Sequence, residues 1–108
     1  MITFRTGSSE LTTESIAMMA KVAAALQTDR LAGFAFRVEG HADPRGDEGL
    51  NQRLSQARAE AVVRHLVDKF GILPERLTPV GRGSSELYDT VRIDTPENRR
   101  VTIVTLRP

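Results

Sequence analysis

Hydrophobic and polar positions follow two periods along this chain. Phe34, Phe36 and Val38 alternate with Ala35, Arg37 and Glu39, as in a strand with one covered face. Residues 1–4 predict a short opening strand, closed by Thr6-Gly7-Ser8-Ser9. Between these strands Ile16, Met19, Ala20, Ala23 and Leu26 recur at helical spacing, with Thr12 or Thr13 as N-cap, and Gly33 ends the connection. A second helix is expected over 50–70, with Leu54, Ala57, Ala61, Val62, His65 and Leu66 near its covered side and Gly71 as the stop. Leu77-Thr78-Pro79-Val80 reads as a short strand that Pro79 confines to a sheet edge or a strand end. Gly81-Arg82-Gly83-Ser84-Ser85 is loop, and 91–97 is loop or a turn of helix. The last strand covers 100–106, with Val101, Ile103 and Thr105 on one side. The order β-α-β-α-β-loop-β predicts an α/β sandwich (α+β), with two main helices on one face of a mixed four-stranded sheet.

A length of 108 residues suits one domain, and 40% apolar content supplies a core. A net charge of +1 gives no bulk attraction to nucleic acid. Aromatic stacking platforms are also scarce, with four Phe and one Tyr. Zero cysteines exclude a disulfide scaffold, a thiol nucleophile and a thiolate metal site. Lys21 and Lys69 are the only lysines among 15 basic residues, so 13 are arginine. That skew reflects either compositional bias or guanidinium forks that bind carboxylate or phosphate. No stretch approaches the roughly 20 apolar residues that span a bilayer, and no signal-peptide order is present. The chain is therefore cytoplasmic, or a domain whose targeting segment lies upstream.

The informative segment is the polar loop 40–49 and the helix it feeds. Asn51 and Arg58 are seven residues apart, within about 20° on a helix, and Ser55 shares their stripe. Leu50, Leu54, Ala57 and Ala61 flank that stripe, which places it against the body of the fold. An arginine beside an apolar seam needs a partner, and Asp43 is the nearest acidic candidate in sequence. Two readings stand side by side. Asp43 and Arg58 form a structural ion pair with Asn51 capping the loop, or they offer a carboxylate and a guanidinium to a zwitterionic amino-acid group.

The run Gly40-His41-Ala42-Asp43-x-x-Gly46-x-x-x-Leu50-Asn51-x-x-Leu54-Ser55-x-x-Arg58-Ala59-x-x-Val62 resembles the OmpA-like peptidoglycan-binding domain family. Gly71-Ile72, Arg76-Leu77, Gly81-x-Gly83 and Asn98-Arg99-Arg100-Val101 agree in register, as do Ile2-Thr3-Phe4 and Leu11. The resemblance covers nearly the whole chain. It implies a single domain over 1–108, excised from a longer envelope protein, that holds the meso-diaminopimelate of a peptidoglycan stem peptide. Asp43 and Arg58 match the family's main ligand contacts, with Asn51, Arg99 and the Ala42 position beside them. Asp43 would take the ammonium and Arg58 the carboxylate. Departures are Ala42, where the family usually has threonine; Arg5, where an acidic or amide residue is common; and Ser84-Ser85-Glu86-Leu87, which lacks a common proline.

The resemblance further implies no enzyme, no cofactor and no metal. It places the domain in the periplasm as a monomer or weak homodimer, joined to a membrane only through segments outside this chain. An assembly or dimerisation module of the envelope is the alternative. Against catalysis, Ser55 lacks a Gly-x-Ser-x-Gly elbow, and His41-x-Asp43 alone offers too few ligands for zinc. Gly81-Arg82-Gly83 lacks the third glycine and the lysine of a phosphate loop.

Overall fold

The structure, a computed structural model, describes residues 2–45, 47–86 and 96–106. Strand β1 (Ile2–Thr3) leads into helix α1 (Thr13–Leu26), strand β2 (Ala35–Gly40), helix α2 (Glu48–Phe70), strand β3 (Leu77–Gly81) and strand β4 (Arg100–Leu106). Short 3-10 turns at Pro74–Arg76 and Pro96–Asn98 precede β3 and β4. Of the turn expected over 91–97, only its end is described; residues 91–95 lie outside the described residues. The sheet order is β1-β4-β2-β3. β2 runs parallel to β3 and antiparallel to β4, so the sheet is mixed, as the alternation of helices and strands predicts. Pro79 sits in β3 at the sheet edge, where its missing N–H leaves no ladder bond unmade. Among the described residues no helix is long and apolar enough to cross a membrane.

The core joins Ile2, Phe4, Met19, Ala23, Phe36, Val38, Val62, Leu66 and Val101 between sheet and helices. Helix α1 is turned from the expected stripe. Ser15, Met19, Ala23 and Leu26 are its buried residues, while Ile16 is 45% exposed and Ala20 lies on the outside. The cause is polar: the Ser15 hydroxyl donates to the Thr3 carbonyl at 2.9 Å, tying the helix start to β1. Thr12 caps that start by accepting from the Ser15 N–H.

Helix α2 begins at Glu48, two residues before the expected start, because Asp47 caps it by accepting from the Gly49 N–H. Gly71, at φ 68°, ends it in the left-handed conformation. Its buried residues are Asn51, Ser55, Arg58, Ala59, Val62 and Leu66. The expected Leu54, Ala57, Ala61 and His65 are half-buried beside that seam. Two glycines set this packing. A Cβ on Gly40 would lie 1.9 Å from the Ser55 carbonyl oxygen, and one on Gly81 would lie 2.7 Å from the Gln56 nitrogen. These glycines are paired neighbours on β2 and β3. The helix backbone therefore rests directly on the strand ends, and small or polar residues face the sheet there.

Candidate ligand-binding site

The close seating of α2 brings four segments together: the loop after β1, the loop after β2, the N-terminal half of α2, and the approach to β4. They enclose a cavity of about 310 Å³, lined by Thr6, Asp43, Arg45, Asn51, Arg58 and Arg99 among others. That volume is at the lower end for small-molecule sites. Leu50, 56% exposed, and Leu54 supply an apolar wall on the helix side.

Arg58 is fully buried. Its Nε donates to the Ser8 carbonyl at 2.8 Å, Nη1 to the His41 carbonyl at 3.0 Å, and Nη2 to the Arg5 carbonyl at 2.9 Å. The guanidinium carbon lies 5.3 Å from the centre of the Phe4 ring. A guanidinium has five N–H donors, so three carbonyls do not exhaust it. Burial lowers its pKa to about 10, with the nearby Arg99 adding to the drop and Asp43 opposing it; it stays protonated at neutral pH. Asp43 and Arg58 form no ion pair in this structure. Each instead lines the same cavity with other partners.

Asp43 is nearly buried and accepts from Arg45 in a fork. The Arg45 backbone N–H and Nε reach Oδ1 at 3.1 Å, and Nη2 reaches Oδ2 at 2.9 Å. Arg99 adds Nη1 to Oδ2 at 3.4 Å while its Nε donates to the Phe4 carbonyl. The Arg45 bonds hold the Asp43 carboxyl below its ordinary pKa, against the opposing effect of burial. Asn51 is 93% buried; its Nδ2 has no hydrogen-bond partner, and the residue lines the cavity. It does not cap the loop, a role Asp47 fills. Ala42 is buried, and its N–H donates to the Gly83 carbonyl at 2.8 Å, so the backbone groups at this position are held without a hydroxyl.

The sequence reading picks out five of the lining residues as ligand contacts and misses Thr6, Gly7, Arg45 and Asp47. Arg45 carried a signal, since an Asp two residues before an N–H commonly closes a side-chain turn. The carbonyls of Arg5 and Ser8 carry none, because any residue supplies a carbonyl.

His41 points elsewhere. Its side chain lies beside Glu39, with Nε2 4.0 Å from Oε1, and neither ring nitrogen has a hydrogen-bond partner. Glu39, His41 and Glu86 bring one potential metal-ligand atom each to within 4.8 Å of one another, a grouping that the His41-x-Asp43 spacing does not reveal. Arg37 and Arg82 both bond to Glu39 and already neutralise that carboxylate. The Gly81-Arg82-Gly83 glycines serve packing: Gly83, at φ 58°, donates its N–H to Ser55 Oγ at 2.8 Å, and a Cβ there would lie 2.5 Å from Glu48 Oε1 and 3.0 Å from Gln52 Oε1.

Residues 3–101 match the family model described as the OmpA family. Over 70 residues, 63% of the chain, it is 40% identical to an outer-membrane lipoprotein, YfiB, of Pseudomonas aeruginosa, and it covers 41% of that protein. It is 39% identical over 71 residues, 66% of the chain, to outer membrane protein A of Shimwellia blattae, covering 29% of it. The chain thus spans less than half the length of these relatives. Among solved structures, the peptidoglycan-associated lipoprotein of Burkholderia pseudomallei superposes with a TM-score of 0.83 at 25% identity. That match covers 97% of this chain and 88% of the other. The C-terminal domain of Helicobacter pylori MotB shares the fold, with a TM-score of 0.81 at 23% identity over 99% of this chain and 84% of that one.

Proposed function

Since the chain belongs to the OmpA family, whose domains generally bind peptidoglycan in envelope proteins, we propose that it holds the wall non-covalently through the meso-diaminopimelate of the stem peptide. In this reading it is a periplasmic binding module that anchors an envelope protein and performs no chemistry on the wall. The observation that carries the proposal is the cavity itself: an anionic group, a buried guanidinium and an unpartnered amide N–H₂ border one space. A zwitterion presents the complementary set. Its ammonium goes to Asp43, and its carboxylate goes to the side where Arg58 stands and the Asn51 amide can donate. Arg99 holds the Asp43 carboxylate from behind, and the Ala42 backbone forms the floor. The wall at Leu50 and Leu54 suits the methylenes of the ligand. Two charge-assisted contacts in a part-wetted site correspond to roughly micromolar to millimolar affinity.

The test is co-sedimentation with sacculi containing diaminopimelate, using Asp43→Asn and Asn51→Ala. Asp43→Asn keeps the shape of its side chain and one acceptor oxygen, and Asn51→Ala removes an amide N–H₂ that no protein group uses. Both disturb the fold less than Arg58→Ala, which would strip three carbonyls of their donor. Asp43→Asn is expected to weaken binding about tenfold or more, in line with loss of a charged hydrogen bond. Asn51→Ala should weaken it less. Undiminished binding by both variants removes the mechanism.

A further inference from the structure

The Asp43 carboxylate, on which the proposed ligand's ammonium depends, is already occupied. Arg45 takes both oxygens, and its Nη2 also reaches Thr6 Oγ1 at 3.3 Å, spanning from the loop after β2 to the loop after β1. The two guanidiniums on Asp43 differ in kind. The Arg99 side chain is 11% exposed and tied to the Phe4 carbonyl, whereas the Arg45 side chain is 46% exposed. A half-exposed guanidinium can turn to water when it lets go of a carboxylate, whereas a buried one cannot, so the Arg45 pair is the less costly of the two to open. Arg45 is thus the displaceable neighbour and Arg99 the fixed one.

What displaces Arg45 depends on what the newcomer offers in return. Arg45, Arg58 and Arg99 face the cavity against Asp43 and Asp47, three cations to two anions. A lone ammonium adds a fourth cation and leaves the Arg45 fork without its acceptor. An ammonium with a carboxylate on the same carbon adds no net charge and gives the swung-out guanidinium a new planar acceptor.

Resting on the peptidoglycan reading above, we propose that Arg45 is a specificity-determining residue: it yields Asp43 to an ammonium that brings its own carboxylate, and withholds it from a lone ammonium. The ligand class admitted is the amino-acid end of a diaminopimelate side chain. The class refused is the simple primary amine of a lysine side chain, as in stem peptides built on lysine.

The experiment is calorimetric titration of the wild type and Arg45→Ala with two stem tripeptides, one ending in meso-diaminopimelate and one in lysine. These ligands differ only in the carboxylate at the side-chain end. The wild type should prefer the diaminopimelate tripeptide. Arg45→Ala should narrow that preference about fivefold, the scale of an exposed ion pair, chiefly by binding the lysine tripeptide more tightly. A preference unchanged by the substitution overturns the proposal. If the wild type binds neither tripeptide, the peptidoglycan reading fails, and a ligand-free measurement still decides whether Arg45 holds Asp43. The Asp43 carboxyl, followed by carbon-13 NMR, should titrate at higher pH in Arg45→Ala; an unmoved titration overturns the occupancy on which the proposal stands.

Discussion

Arg58 and Arg76 direct their guanidiniums at main-chain carbonyls. Arg76 gathers those of Phe34, Leu26 and Leu31, closing the turn between α1 and β2, and stands 5.5 Å from the Phe36 ring centre. The arginine excess thus has a structural component that neither compositional bias nor anion binding describes. Hydrogen bonds from a charged donor contribute about 1.5–3 kcal/mol each, and a lysine cannot reproduce a three-way fork. Arg76→Lys is therefore expected to lower unfolding stability by about 2 kcal/mol in urea titration, while leaving sacculus binding unchanged.

His41 makes a second prediction at this scale. It is 1% exposed with both ring nitrogens unpartnered, and burial, aided by the Arg100 charge, lowers its pKa to about 4 against the pull of Glu39 and Glu86. The unfolded chain takes up a proton near pH 6.5 that the folded chain refuses until about pH 4. Stability from this group is complete above pH 6.5 and declines as pH falls to 4, by about 3 kcal/mol. Asp43 and Glu39, whose pKa values are also lowered in the fold, add losses only below their ordinary values of 3.8 and 4.5. Urea midpoints should drop across pH 6.5–4 in the wild type and stay nearly level there in His41→Gln. An equal drop in both would place the titrating group elsewhere.

Among the elements, helix α2 decides the geometry of the site, and Gly40 and Gly81 decide the seat of α2. Gly40→Ala would push a methyl group into the Ser55 carbonyl, with backbone on both sides and nothing to swing away. Overpacking of this kind costs about 1–3 kcal/mol or more. Gly33→Ala, with nothing within 4 Å of the added carbon, should fall within about 0.5 kcal/mol of the wild type. The comparison by thermal unfolding isolates the close approach from the general effect of adding a side chain. Element order, the helix stop at Gly71 and the edge placement of Pro79 were legible because each follows from local chemistry. The rotation of α1 was not. Ile16 fits a helical stripe as well as Ser15 does not, and only the Thr3 carbonyl, twelve residues away in sequence, reverses the choice. In the same way Ala59 and Ser55 face the sheet because two glycines on other strands admit them.

At the scale of the whole molecule, the site belongs to no single element. The turn after β1 contributes carbonyls from Arg5 and Ser8, the turn after β2 contributes Asp43 and Arg45, α2 contributes Asn51 and Arg58, and the approach to β4 contributes Arg99. Antiparallel pairing of β1 and β4 brings Phe4 to Arg99, and the β2–β4 ladder continues into a bond from the His41 N–H to the Arg100 carbonyl. The polar stripe on α2 and its convergence with Asp43 could be read from helical periodicity and spacing. The partner of Arg58 could not, since an ion pair to Asp43 and three backbone carbonyls satisfy the same charge-bearing side chain. Nor does any spacing reveal that Asp43 is held from two sides by arginines 2 and 56 residues away.

The most direct test is an NMR titration of nitrogen-15-labelled protein with the diaminopimelate tripeptide. We expect saturable shifts confined to the Asn51 side-chain amide, the Ala42 and Gly7 backbone amides and the Arg45 Nε–H, and their loss in Asp43→Asn. Saturable binding that shifts residues away from this cavity, or that survives unchanged in Asp43→Asn, would contradict the account.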